Sequence, residues 1–104
     1  QYAPDVACAF IKSARIEPEG AELFGLGGNI TSVSEFVGSI SAATGFDRIT
    51  HASKELPFPH GMDDAPLRAR LGGIVQTSLD DSIEESARWF EWAEEKGLPL
   101  PNFE

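Results

Sequence analysis

Between Ala21 and Val37 the chain reads AELFGLGGNITSVSEFV, and this stretch restricts the fold more than any other. Glu22–Leu26 alternates apolar and small residues, the pattern of a short strand. Gly25, Gly27, Gly28 and Asn29 then break any regular run. Thr31 or Ser32 can cap the helix that follows. Its side-chain oxygen would accept from an N–H that the first turn leaves unpaired, and Glu35 three residues after Ser32 completes a capping box. The expected order is strand, glycine turn, capped helix.

That order invites a nucleotide-binding reading, which the spacing does not support. A dinucleotide fingerprint needs G-x-G-x-x-G, so that backbone can approach a pyrophosphate and the helix can pack on the strand. Gly25 and Gly27 fit, but the third position is the β-branched Ile30. The turn is read as structural, its glycines supplying φ > 0.

A chain of 104 residues makes one small domain. With 41% hydrophobic and 24% charged residues its composition is globular. Its 17 acids against 8 bases give a formal net charge of −9. Nucleic acid and anionic membrane are excluded as partners, because both would begin from long-range repulsion. No apolar run approaches the roughly twenty residues that span a bilayer. Gln1 opens without an initiator Met or a signal-type core, so the expectation is the interior of something longer or a processed end. Cys8, the only cysteine, lies among Val6, Ala7, Ala9 and Phe10 and is expected as a buried apolar thiol. The cytoplasm is the default location.

Four helices are predicted. The first spans Asp5 to Ile16, with Asp5 as cap and Pro4 discouraging an earlier start. Glu17-Pro18-Glu19-Gly20 then turns the chain. The second runs from Val33 to Ala43 and stops at Gly45. The third covers Asp64 to Leu71, with Pro66 in its first turn and Gly72 closing it. The fourth spans Leu79 to Lys96, capped by Ser78, with Leu79, Ile83, Ala87, Phe90 and Ala93 as its apolar stripe. A second short strand is expected over Asp47–Ala52. Leu56-Pro57-Phe58-Pro59-His60-Gly61 must be an extended loop, and the tail Leu98–Glu104 extended.

The residues show no catalytic centre and no metal set. His51 and His60 have no zinc spacing and belong to no Cys/His cluster. Asp63/Asp64 and Asp80/Asp81 open helices, where the dipole alone favours acids. No G-x-S-x-G elbow is present. His60, in a Pro-Gly loop, has the better claim of the two histidines to touch a ligand. Trp89 and Trp92 flank the last helix's stripe and could anchor a protein partner.

The order of motifs says more than any one of them. Tyr2-Ala3-Pro4-Asp5-Val6-Ala7-x-Ala9 resembles the V-x-D-V-A-x-A segment of NAD-dependent epimerase/dehydratases, the extended short-chain dehydrogenase/reductases. Glu22–Gly28 followed by Thr31-Ser32-Val33-x-Glu35-Phe36 is similar to their V-Y-N-V-G-G-G…S-V-x-E-L. Asp63…Leu67…Leu71-Gly72, Thr77–Ile83 and Trp89-Phe90 resemble their closing segment. The resemblance spans nearly the whole chain, in order.

It implies an α/β fold of about four helices and two short strands, like the C-terminal part of such an enzyme. Residues 1–28 would form an edge helix and strand of the cofactor domain's sheet, and residues 29–104 the small substrate-binding domain. The family's dinucleotide fingerprint and Tyr-x-x-x-Lys pair have no counterpart here, so the chain alone is not expected to catalyse or to hold a cofactor. NAD or NADP belongs to the parent. Substrate contacts would fall to Phe58, His60 and Met62 in the proline loop, and to Arg68. A nucleotide sugar is one implied substrate. The family's diphosphate-pairing arginine has no match in Pro57–Asp63, which keeps a small sugar or hydroxy acid open beside it. A homo-oligomer is also expected. The alternative is a free-standing acidic interaction module that uses the helix carrying Trp89 and Trp92.

Overall fold

The computed structural model describes residues 1–17, 20–55 and 57–101. These residues form four helices, α1 (Ala3–Ser13), α2 (Val33–Thr44), α3 (Ala65–Leu71) and α4 (Leu79–Glu95), and no strand. The α/β expectation is therefore corrected to all-helical. Glu22–Leu26 and Asp47–Ala52 carry strand-like alternation, but a strand exists only when its N–H and C=O groups meet a neighbour. The backbone from Ala21 to Gly25 makes no such hydrogen bond among the described residues. Parts of the expected turn at 17–20, of the proline loop at Leu56 and of the tail at 102–104 lie outside the described residues.

The chain divides into two compact units. The first comprises Gln1–Ile30 and Ser53–Thr77 and packs α1 with α3. Helix α1 starts at Ala3, earlier than expected, with Tyr2 at the N-cap. Pro4 is tolerated in the first turn because its missing N–H is one the helix leaves unpaired anyway. Asp5 is then free of capping duty. The helix ends at Ser13, and Arg15 and Ile16 continue as single turns on Lys12 and Ser13 carbonyls. Among the described residues, Ala9 and Leu67 are the buried apolar ones of this unit. Cys8 is exposed, which corrects its expected burial.

The second unit comprises Thr31–Ala52 and Ser78–Glu104 and packs α2 with α4. The capping box forms as the sequence dictates. Ser32 Oγ accepts from Glu35 N–H at 3.1 Å, and the Glu35 carboxylate accepts from Ser32 N–H at 2.8 Å. Gly45, at φ +70°, ends α2 in the left-handed conformation. Ser78 caps α4 by accepting from Asp81 N–H at 3.2 Å. Its buried residues are Ser82, Ile83 and Ala93, whereas Phe90 of the expected stripe is 46% exposed.

Little of the apolar surface is covered. Among the described residues, Ala9, Leu67, Ile83 and Ala93 are the buried hydrophobic ones, and no large side chain is fully enclosed. The chain exposes 8449 Å². Two wholly separate units of half its mass would together expose about 6,900 Å² if each were packed like an ordinary small protein. Leu23 at 98%, Phe10 at 70% and Ile11 at 52% exposure account for part of the excess in the first unit.

Candidate functional site

The best-formed site lies in the first unit, where three of its segments meet beside the glycine turn. Gly25, Gly27 and Gly28 do not have positive φ, so backbone freedom is not their role here. Close approach is. A Cβ on Gly25 would stand 2.9 Å from the Asp63 carbonyl oxygen and 2.8 Å from Met62 Cγ. On Gly27 it would stand 2.7 Å from Asp64 Oδ2 and 3.1 Å from the Met62 carbonyl oxygen. The loop 62–64 is thus seated directly on the turn. A pyrophosphate does not fit, since the chain's own carboxylate and backbone occupy the space.

From Asp64 a line of polar contacts runs through the unit. Arg68 donates through Nε to Asp64 Oδ1 and through Nη2 to Oδ2, each at 2.9 Å. This fork fixes the guanidinium in its plane. The same Nη2 donates to Gln76 Oε1 at 2.6 Å, and Gln76 Nε2 donates to Asn29 Oδ1 at 2.7 Å. Asn29 Nδ2 in turn donates to the Thr77 carbonyl at 2.8 Å. Gln1 Nε2 donates to the Leu26 carbonyl at the mouth of the same region. Between them lies a crevice of about 20 Å³, lined by Gln1, Asp5, Gly27, Asn29, Arg68 and Gln76 among others. That volume admits about one water molecule and no substrate.

The Arg68 guanidinium beside Asp64 holds its carboxyl below the ordinary range, and the carboxylate pushes Arg68 up. In the second unit Glu35 is also held down, first by the Ser32 N–H, then by the Ser32 and Thr31 hydroxyls.

The four residues assigned to substrate contact all fall in the first unit. Arg68 alone of them lines the crevice. Phe58 is 68% and Met62 63% exposed, and His60 is exposed as well. Met62 covers Gly25. Arg68 has its Nε and Nη2 engaged by Asp64 and Gln76, so it stitches the unit together. Sequence reasoning missed Asn29, Gln76 and Thr77. Single polar residues in loops carry no periodic signal, and only the fold reveals that they meet.

Trp89 and Trp92 are 51% and 48% exposed on α4, with Trp89 edge-on to Phe90 at 5.1 Å between ring centroids. Among the described residues no three His, Cys, Asp or Glu side chains group as a metal site. No helix there is long and apolar enough to cross a membrane. No protein-family model, curated protein or solved structure matches this chain.

Proposed function

We propose that this chain is the substrate-binding C-terminal segment of an NAD(P)-dependent epimerase/dehydratase-like oxidoreductase, acting in the cytoplasm and not catalytic alone. The observation that carries it is the exposure of Phe10, Ile11 and Leu23. They lie on α1 and on the Glu22–Leu26 segment, the two pieces that the ordered motifs assign to the edge of a larger cofactor domain. Apolar residues at 52–98% exposure, with no backbone-to-backbone hydrogen bond over Ala21–Gly25 among the described residues, are what a segment lifted from a larger body leaves open. In the parent, NAD or NADP would supply hydride chemistry, and this segment would bear on the sugar or hydroxy-acid substrate through Phe58, His60 and Met62. Arg68 is already committed to Asp64 and Gln76, so it would act by holding that loop.

The test is to sequence the genomic DNA upstream of the Gln1 codon. The expected result is an open frame of roughly two hundred codons, the usual size of a cofactor domain. It should carry a strand, a Gly-rich turn and a helix, followed by Tyr-x-x-x-Lys. A start codon immediately before Gln1 would overturn the proposal.

One observation favours a second reading. Trp89 and Trp92 of α4 are both about half exposed, and Trp89 stands edge-on to Phe90. Such rings anchor protein interfaces. As an interaction module the chain would lose its partner on Trp89→Ala/Trp92→Ala. As an enzyme segment it would lose chiefly packing.

A further inference from the structure

We infer that Gly25 and Gly27 are positioning residues for the proline loop, fixing its C-terminal end so that Phe58 and His60 are its presented face. The evidence is the kind of atom each missing Cβ would strike. At Gly25 and Gly27 the nearest atoms include backbone carbonyls of Asp63 and Met62, at 2.9 and 3.1 Å. Backbone cannot rotate away as a side chain can, so the loop itself would have to shift, by a few tenths of an ångström at the 3.1 Å approach and more at the 2.9 Å one. Gly27 also borders the Asp64 carboxylate that Arg68 holds by its fork, which closes the same seam from the other side. Gly61 differs. Its Cβ would meet only Ile30 Cδ1 and Cγ1, at 2.6 and 3.2 Å, and Ile30 is 75% exposed and can turn aside. Gly38, with nothing within 4 Å, has no such role. The loop therefore lies against the turn at 62–64 through two close backbone approaches, with Asp64 held to α3 by its pair with Arg68, and upstream of it Phe58 and His60 stand open. What those two residues meet rests on the function proposed above; the contact at 62–64 does not.

The experiment compares Gly25→Ala, Gly27→Ala, Gly61→Ala and Gly38→Ala in the whole chain. Amide exchange is followed over residues 57–65, together with NMR resonances of the Phe58 ring and the His60 imidazole. Gly25→Ala and Gly27→Ala should raise exchange at 62–65 by about tenfold or more and shift both ring signals, while helicity and the Trp89 and Trp92 signals stay in place. Gly61→Ala should move them little and Gly38→Ala not at all. Arg68→Lys, which keeps the charge without the fork and adds no atom to the seam, should loosen the same residues. Equal responses from all four glycines would overturn the inference, as would unmoved Phe58 and His60 signals in Gly27→Ala and Arg68→Lys. Collapse of α1 and α3 in both of those variants would overturn it too, since the seam would then be general core. Failure to find an upstream cofactor domain would leave these spectra unaffected, so the two proposals fail separately.

Discussion

Asp5 and Thr77, 72 positions apart, are joined by two hydrogen bonds: Thr77 N–H donates to Oδ2 at 2.7 Å and Thr77 Oγ1 donates to Oδ1 at 2.8 Å. Both are part-buried, and an ionised acceptor makes each stronger than a neutral pair. The contact ties the first turn of α1 to the end of the first unit. Asp5→Ala should cost about 1.5–3 kcal/mol, because the Thr77 N–H is left without its acceptor. Thr77→Val, which removes only the hydroxyl donor, should cost less. Urea unfolding of both singles and the double should return a coupling of at least about 0.5 kcal/mol. Strict additivity would mean that the two residues do not act together.

Two glycines of α2 should respond to alanine in opposite directions. Gly38 lies inside the helix with nothing near its missing Cβ. Gly38→Ala should stabilise by about 0.5–1 kcal/mol through backbone entropy alone. Gly45 ends the helix at φ +70°, where a Cβ crowds the following carbonyl. Gly45→Ala should destabilise by about 1–2 kcal/mol. Thermal melts followed by circular dichroism separate the two signs.

The helices were legible because their signals are local. Ser32 with Glu35, Ser78 with Asp81, and glycines at 45, 72 and 97 mark ends that need no tertiary context. The strands were misread for the converse reason. Alternation at Glu22–Leu26 states what a strand would look like, not whether a neighbour exists to pair with it. Asp5 was misplaced because a cap and a long-range acceptor call for the same carboxylate, and only the position of Thr77 decides between them. The glycine turn was recognised as structural, yet by the wrong property: φ is ordinary at Gly25 and Gly27, and the constraint is what lies against them. Of the assigned substrate contacts, Arg68 lay within reach of sequence as an i,i+4 partner of Asp64. Gln76 and Asn29 did not.

Acid should loosen both units through named carboxylates. Glu35 and Asp64 are each held below their ordinary values of 4.5 and 3.8. A depressed folded-state pKa contributes stability that is present above the unfolded value and lost as pH falls through the folded one. Neither group therefore makes stability vary between neutrality and about pH 5. Below that, Glu35 weakens its capping box as it protonates and Asp64 releases Arg68. Glu35→Gln keeps an acceptor without a charge, so its stability should fall less steeply below pH 4.5 than that of the parent chain. Parallel acid titrations that superimpose would show that the Ser32 contacts do not favour the charged form in solution.

Ala93 is wholly enclosed on α4, at 0% exposure, while Trp89 and Trp92 on the same helix stay half open. A small residue at the most buried point marks where α4 has no spare room. Ala93→Leu would add three carbons to a site already closed, which forces off-rotamer packing or a shift of the helix and should cost about 1–3 kcal/mol. Ile83→Val, at a second buried position, removes one methylene and should cost only about 0.5–1.5 kcal/mol. Overpacking at Ala93 should therefore cost at least as much as the small cavity at Ile83. Were Ala93→Leu neutral while Ile83→Val destabilised, the space around Ala93 would have to be open in solution. Denaturant midpoints read with tryptophan fluorescence decide it, because Trp89 and Trp92 sit on the helix being displaced.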